Sequence, residues 1–477
     1  MAQRKPIITI IGCGYVGLTL GAVLANADYT VHAIEINPKR LKAIKAGRSF
    51  FYEAGADPLI ARAVSTGNLI PTDTFATAIP ASDIVFSCVG TPDNADGSSN
   101  LSYVFDAANQ ALELMRPHTI YVQKSTVPVG TGAKIEGLFS ASSKQIHYVS
   151  CPEFSREGTA ILDTLWFDRV VTGAHNQASA RKVLDLHRTI EKQRCAIAGY
   201  AGLPVPADPP RAQYMMVGRA SAELIKVSAN AFLALKISFA NSIAKLADAS
   251  DADIIEVMDG IGSDRRIGRA FLSAGRGYGG GCFPKDVSGL IRSAEDHGVD
   301  MDIMHAVTAI NNSMPHYIMQ LVKRILNGDA GSDNALKDKR VAVLGLSFKA
   351  GTSDVRRSPA LVIANTLAEQ AAIVQAYDPE AMDEATSTLD RSITLTKSVE
   401  AAVKNAEIIF IATDWPQFKA IDLKQLTTAP AKVLIVDCMN CLDPVMITRV
   451  GARYLGVGRH YAAPQDSYSK IRQPSAR

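Results

Sequence analysis

A single cysteine stands among five glycines in Gly275-Arg276-Gly277-Tyr278-Gly279-Gly280-Gly281-Cys282-Phe283-Pro284-Lys285-Asp286. Glycines at that density allow positive φ and let the backbone approach a ligand closely. A thiol placed there can reach an electrophile, and the thiolate is its nucleophilic form. Lys285 favours that form by its charge. Asp286 either handles protons and water or holds Lys285 in place. The competing reading is a glycine-rich turn whose cysteine packs as a small hydrophobe. Lys226 and Asn230 form a second pair, spaced i, i+4 in an apolar stretch and so sharing one helical face. They either hold a substrate hydroxyl or an oxyanion, or belong to a surface stripe with the lysine solvated.

A different chemistry is written near the N-terminus. Gly12-Cys13-Gly14-Tyr15-Val16-Gly17 follows a strand at 7–11 and opens a helix at 18–27; the next strand, 29–36, carries Glu35 near its end. Strand, G-x-G-x-x-G, helix, strand and acid in that order form a dinucleotide-binding fingerprint. The helix N-terminus attracts a pyrophosphate. Glu35 takes the ribose hydroxyls and repels a 2′-phosphate, which favours NAD over NADP. Arg4, Lys5, the apolar run and Ala25-Asn26-Ala27 imitate a secretory signal. The glycines in phosphate-binding spacing and the strand beyond them favour the nucleotide fold instead.

These side chains need elements to carry them. Further strands at 83–89, 119–123 and 147–150 end in loops bearing Thr91, Thr126, Glu153 and Glu157. In an open α/β sheet such loops converge on one crevice at the carboxyl ends of the strands. Taken singly, Thr126, Glu153 and Glu157 read more readily as turn caps or solvated loop residues. The proline-rich stretch 200–214 reads as a linker, and 219–250 as one long helix. Further helices fill 287–326 with breaks around Gly298 and Pro315, and 327–338 is a polar linker. A second nucleotide-type unit follows, with strands at 340–344, 374–377, 407–412 and 433–436. It has no G-x-G-x-x-G, so a different ligand is expected, with Lys349, Arg356 and Arg357 available to phosphates.

The expected fold is therefore α/β: two Rossmann-like doubly wound parallel-sheet domains joined by a helical middle segment with a long central helix. The expected boundaries are 1–205 for NAD binding, 206–328 for the helical middle segment, 336–460 for the second nucleotide-type unit and 461–477 for a mobile tail. A chain of 477 residues, 47% hydrophobic and 20% charged, has ample material for such cores. A formal charge of +3 is too mild to call for nucleic acid or a membrane surface. No apolar stretch beyond the N-terminal one reaches the ~20 residues of a membrane span, so a soluble, cytoplasmic protein is expected. The seven cysteines are scattered. Cys438 and Cys441 have C-x-x-C spacing but no second pair, and no metal is expected.

The motifs GCGYVG, VGTP, STVPVGT, PEF-x-REG, AELIK-x-x-x-NAFLA, DRRIG, GYGGGCFPKD, LGLSFK, YDP and TDW, in that order over residues 7 to about 445, resemble the UDP-glucose/GDP-mannose dehydrogenase family. The likeness is to its UDP-glucose-oxidising branch. The resemblance implies a four-electron oxidation of a nucleotide sugar C6 alcohol to the carboxylate, UDP-glucose to UDP-glucuronate, with two NAD⁺ and a Cys282 thiohemiacetal and thioester. Another UDP-hexose such as UDP-N-acetylglucosamine is the alternative substrate.

By motif, the catalytic residues implied are Cys282, Lys226, Asn230, Asp286, Thr126 and Glu153. Lys226 and Asn230 stabilise an oxyanion, Asp286 with Thr126 orders water, and Glu153 activates it. The NAD residues implied are Gly12, Gly14, Tyr15, Val16, Gly17, Glu35, Lys39, Thr91, Thr126, Glu157 and Lys285. Nucleotide-sugar contacts are implied for Glu153, Phe154, Ser155, Glu157, Lys226, Asn230 and Arg266. They are also implied for Phe271, Tyr278, Gly279, Cys282, Phe348 and Lys349. A homodimer or higher homo-oligomer is implied as well.

The chain departs from the family pattern at Met439, where arginine is usual, and at Ala54, Cys151, Val227 and Ser242; 203–210 looks inserted. Two rival readings stand beside this one. A two-electron dehydrogenase of the 6-phosphogluconate type needs neither Cys282 nor the second α/β half. A non-catalytic nucleotide-sugar sensor tolerates Cys282→Ser.

Overall fold

The computed structural model describes residues 4–250, 252–327, 334–421 and 433–462. The chain forms two compact units, Met1–Ala229 with Ser288–Val299, and Asn230–Val287 with Asp300–Arg477. The tail expected at 461–477 lies, beyond Ala462, outside the described residues, as does 328–333 of the expected linker.

The first unit holds an eight-stranded sheet in the order β3-β2-β1-β4-β5-β6-β7-β8. Its strands are β1 (Ile8–Ile11), β2 (Val31–Ile34), β3 (Leu69–Thr72), β4 (Ile84–Ser87), β5 (Ile120–Gln123), β6 (His147–Ser150), β7 (Arg169–Gly173) and β8 (Gln213–Val217). The order from β3 to β6 is that of a doubly wound nucleotide fold. All neighbours run parallel except β6 and β7, which meet antiparallel at Ser150 and Gly173. Ile8, Ile10, Ile84, Phe86, Ile120 and Val122 face one core, while Ile11, Val85 and Tyr121 face another. Both faces of the central strands are buried, which is why they read as continuous apolar runs rather than alternating ones.

The second unit repeats the plan. Its strands β9 (Arg340–Leu344), β10 (Ile373–Tyr377), β11 (Thr394–Leu395), β12 (Ile408–Ile411), β13 (Leu434–Asp437), β14 (Arg453–Gly456) and β15 (Arg459–Ala462) lie in the order β11-β10-β9-β12-β13-β14-β15. Only β15 is antiparallel to its neighbour. Val341 and Val343 face one core, and Ala342 and Leu344 the other.

Two local expectations are corrected. The stretch read as a linker ends in β8, whose partly exposed QYMMV sequence lacks the apolar signal of a central strand. Pro315 does not break its helix, which runs unbroken over Asp302–Asn327. A proline forfeits only the bond to the carbonyl four residues back, here that of Asn311. The N-terminal residues that imitate a secretory signal form β1 and helix Tyr15–Asn26, both buried in the first core. The long helix spans Arg219–Asp248, and its length and composition alone would let it cross a membrane. It nevertheless carries buried Glu223, Lys226, Asn230 and Asn241.

Candidate active site

The glycine turn after β1 divides its labour among three residues. Gly12 holds φ +88°, and a Cβ there would stand 3.0 Å from the Cys88 carbonyl oxygen. A Cβ at Gly17 would overlap the Gly12 carbonyl oxygen, so this glycine lets the helix close onto the turn. At Gly14 nothing lies within 4 Å of the Cβ position, which leaves space where a pyrophosphate approaches a helix N-terminus. Glu35 is buried after β2, and one oxygen accepts the Asn37 N–H at 2.8 Å. The Tyr15 ring packs on Phe51 at 4.0 Å, and Val16 packs against the first core. Lys39 is exposed in the first turn of helix Pro38–Lys45, capped by Asn37. Thr91 is buried after β4. The turn, the open Gly14 and the acid at the end of β2 fit an NAD-type dinucleotide.

At the ends of β5 and β6 an ion pair between a buried lysine and a half-buried glutamate organises the loops. Lys124 Nζ lies 2.9 Å from Glu153 Oε2, and Glu153 Oε1 accepts the N–H groups of Phe154 and Ser155 at 2.8 and 2.9 Å. Burial alone would raise the Glu153 carboxyl. The Lys124 charge and these hydrogen bonds outweigh it and hold Glu153 below the usual carboxylate range. His187, buried nearby, is pushed down by desolvation and then by Lys124, so it is neutral at pH 7. Thr126 is half-buried in the loop after β5. That loop runs into helix Thr131–Ser140, where Glu223 accepts Gly130 N–H at 2.8 Å and Gly132 N–H at 2.7 Å. Phe154 is covered by Arg169, 4.0 Å from its ring centre, and by the Lys226 ammonium at 5.3 Å. Ser155 and Glu157 sit half-buried in the same loop.

Cys282 is exposed and begins helix Phe283–Glu295, its carbonyl accepting Asp286 N–H at 2.8 Å. A helix N-terminus favours an anion, hence the thiolate. Asp286 is buried, one oxygen 2.5 Å from Lys285 Nζ and the other accepting from Asn230 Nδ2 at 2.5 Å. Of the two roles open for Asp286, holding Lys285 is the one this geometry displays. Cys282, Asn230, Lys285 and Asp286 belong to the second unit; Thr126, Glu153 and Lys226 belong to the first.

The glycines before the cysteine have specific neighbours. A Cβ at Gly280 would stand 2.7 Å from the Phe348 ring, and one at Gly281 2.5 Å from the Arg356 guanidinium. One at Gly279 would collide with the Arg357 carbonyl oxygen. Close approach is thus made to the protein's own chain at three positions. The loop is pinned from two helices: Asn241 Oδ1 accepts Gly275 N–H at 2.8 Å, and Asn311 bonds Tyr278 N–H at 2.8 Å and Tyr278 carbonyl at 3.1 Å. Tyr278 and Phe271 both pack on Phe283. Arg266 is exposed and forked onto Asp264. Lys349 lies over the Phe348 ring at 5.7 Å, and Arg356 is forked onto Asp354.

Sequence reading did not single out Lys124, Glu223, Asn241 or Asn311. Each acts on a partner distant in sequence. The available signal was a polar residue inside an apolar helix or beside a strand end.

Three family models match the chain, described as the NAD binding domain (residues 7–191), the central domain (220–313) and the UDP binding domain (342–444) of the UDP-glucose/GDP-mannose dehydrogenase family. Among relatives, the UDP-glucose 6-dehydrogenase of Rhizobium meliloti is 36% identical over 95% of this chain and 99% of its own. One from Bacillus subtilis is 36% identical over 96% and 98%. A UDP-glucose dehydrogenase structure from Pyrobaculum islandicum superposes with a TM-score of 0.83 at 34% identity, covering 96% of this chain and 99% of that one. With its fingerprint turn, its two doubly wound sheets and these matches, the chain belongs to the UDP-glucose/GDP-mannose dehydrogenase family.

Proposed function

We propose that this protein oxidises UDP-glucose at C6 to UDP-glucuronate with NAD. This reading is supported by the presence in one chain of both a dinucleotide turn and an exposed thiol at a helix N-terminus. NAD bound at the Gly12–Gly17 turn supplies the hydride acceptor for both oxidations. Glu35 holds the adenosine ribose, with Tyr15, Val16, Lys39, Thr91, Glu157 and Lys285 lining the cofactor.

The chain's own groups do the rest. Lys226 and Asn230 stabilise negative charge on the sugar oxygen. The Cys282 thiolate adds to the aldehyde carbon to give a thiohemiacetal, and the second oxidation leaves a thioester on Cys282. Asp286 keeps Lys285 and Asn230 in place, and the family motif assigns Thr126 to the water that releases the acid. Glu153, anionic beside Lys124, orients that water rather than acting as a strong base. Arg266, Phe271, Tyr278, Gly279, Phe348 and Lys349 hold the nucleotide sugar, with Phe154, Ser155 and Glu157 near its reacting end.

The working protein is a soluble, cytoplasmic homodimer. Leu224, Phe232, Phe239 and Leu246 are exposed along helix Arg219–Asp248 at spacings of seven or eight residues, an apolar seam suited to the same helix of a second copy. The division assigned to it is 1–205 for NAD, 206–328 for dimerisation and catalysis and 336–460 for the UDP-sugar, which the family-model matches at 7–191, 220–313 and 342–444 support.

The test counts NADH released per UDP-sugar consumed, across UDP-glucose, UDP-N-acetylglucosamine, UDP-galactose and GDP-mannose. Two NADH per UDP-glucose, with the acid as product, supports the reading. One NADH per sugar would make it a two-electron dehydrogenase. No turnover with any of the four would favour a sensor.

A further inference from the structure

Arg276 is among the largest fully buried side chains of the protein, at 1% exposure. Its backbone N–H donates to the Cys438 carbonyl, just past β13, at 2.9 Å. Its Nη2 donates to the carbonyls of Ser347 at 3.2 Å and Phe348 at 2.9 Å, in the turn after β9, and to Thr413 Oγ1 at 3.3 Å, after β12. Through its side chain at two of them and its backbone N–H at the third, Arg276 thus ties the cysteine loop to the carboxyl ends of three adjacent strands, where a doubly wound sheet binds its ligand.

This is an unusual way to hold a cation. Its bonded acceptors are two backbone carbonyls and one hydroxyl, and Nε and Nη1 have no partner among the described residues. Burial pulls the guanidinium down to about 10, opposed by Cys438, Asp414 and Asp378. It remains charged at pH 7. Asp378 braces the same turn instead, accepting Leu346 and Ser347 N–H at 2.7 and 3.0 Å and Trp415 Nε1–H at 3.2 Å. A buried charge with so little compensation opposes stability. Holding the loop to the turn is the positioning work it does here. The turn leads directly into Lys349, and the Phe348 ring underlies Gly280, two residues before Cys282.

We propose that Arg276 is a positioning residue that makes the Ser347–Lys349 turn and the Gly275–Cys282 loop move as one body, so that a nucleoside diphosphate bound at the turn sets the reactivity of Cys282. This rests on the nucleotide-sugar reading above. The test uses UDP, which has no reacting carbon, and iodoacetamide alkylation of Cys282 followed by peptide mass spectrometry. In the native protein, UDP is expected to change the alkylation rate about fivefold or more. In Arg276→Met, calorimetry should still detect UDP binding, but the change in alkylation should vanish. Turnover should then fall by about 10²-fold, with KM altered far less. Arg276→Lys, which keeps the charge and replaces the guanidinium by an ammonium, should restore part of the coupling. It also replaces the methionine variant should that one fail to fold. A UDP effect as large in the variants as in the native protein would overturn the proposal, as would UDP binding to the native protein without any effect on Cys282. Failure of the native protein to bind UDP would overturn the nucleotide-sugar reading and this proposal with it.

Discussion

Glu153 shows how one neighbour fixes the chemistry open to a side chain. Lys124 holds it ionised in a buried setting. Its folded pKa lies below its unfolded one, so the pair stabilises fully above the ordinary carboxylate range, and that contribution is lost as pH falls from there toward about 2. His187, kept neutral by burial and Lys124, pushes the same way, because the unfolded chain takes up its proton from about pH 6.5 downward. Lys124→Met should cost about 3–5 kcal/mol at pH 7 by leaving Glu153 charged and unpaired. It should also flatten the fall in Tm between pH 7 and pH 4, as followed by scanning calorimetry. A profile parallel to the native one would remove Lys124 as the cause. At Cys282, replacement by serine keeps the fold of an exposed position. It should lower acid formation by at least about 10³-fold, measured as UDP-glucuronate by chromatography. Undiminished acid would remove the covalent step.

The cysteine loop is held by its neighbours rather than by its own hydrogen bonds. Asn311 satisfies both backbone groups of Tyr278. Asn311→Leu should strand them, destabilise by about 1–3 kcal/mol and lower kcat more than it raises KM. A change in KM alone would point to a lost substrate contact instead. The glycines separate two kinds of close approach. An added methyl at Gly279 meets the backbone at Arg357, which cannot yield locally, whereas one at Gly281 meets the end of the Arg356 side chain, which can swing aside. Gly279→Ala should therefore lower Tm and kcat substantially, and Gly281→Ala only slightly. Equal effects would count against this account. From spacing, the glycine run speaks of a close approach without naming what approaches. The partner proves to be the Arg356–Arg357 stretch, seventy-odd residues downstream.

For the whole molecule, the decisive surface is the helix Arg219–Asp248, which leaves Phe232 and Phe239 at 59% and 46% exposure. In the homodimer proposed above, these exposed aromatics on a thirty-residue helix are the surface that a second copy would cover. Phe232→Lys combined with Phe239→Lys should give a monomer by light scattering while the two sheets keep their secondary structure. A dimer that persists would place the interface elsewhere. Reversible dissociation would also make Tm depend on protein concentration in the native protein and not in the variant.

The sequence by itself determined the two doubly wound sheets, the dinucleotide turn and the glycine-rich cysteine loop. Buried parallel strands write themselves as continuous apolar runs, and a phosphate turn needs glycine at fixed spacing. It was silent on β8, because a partly exposed edge strand after prolines carries little apolar signal, and it misread Pro315, because a helix can forgo one hydrogen bond. Only the tertiary structure decided that Lys124 restrains Glu153, that Asp286 divides its oxygens between Lys285 and Asn230, and that Arg276 spans three strand ends. The physical reason is common to all three. A charge takes its role from the groups that face it after folding, and most of those lie far away along the chain.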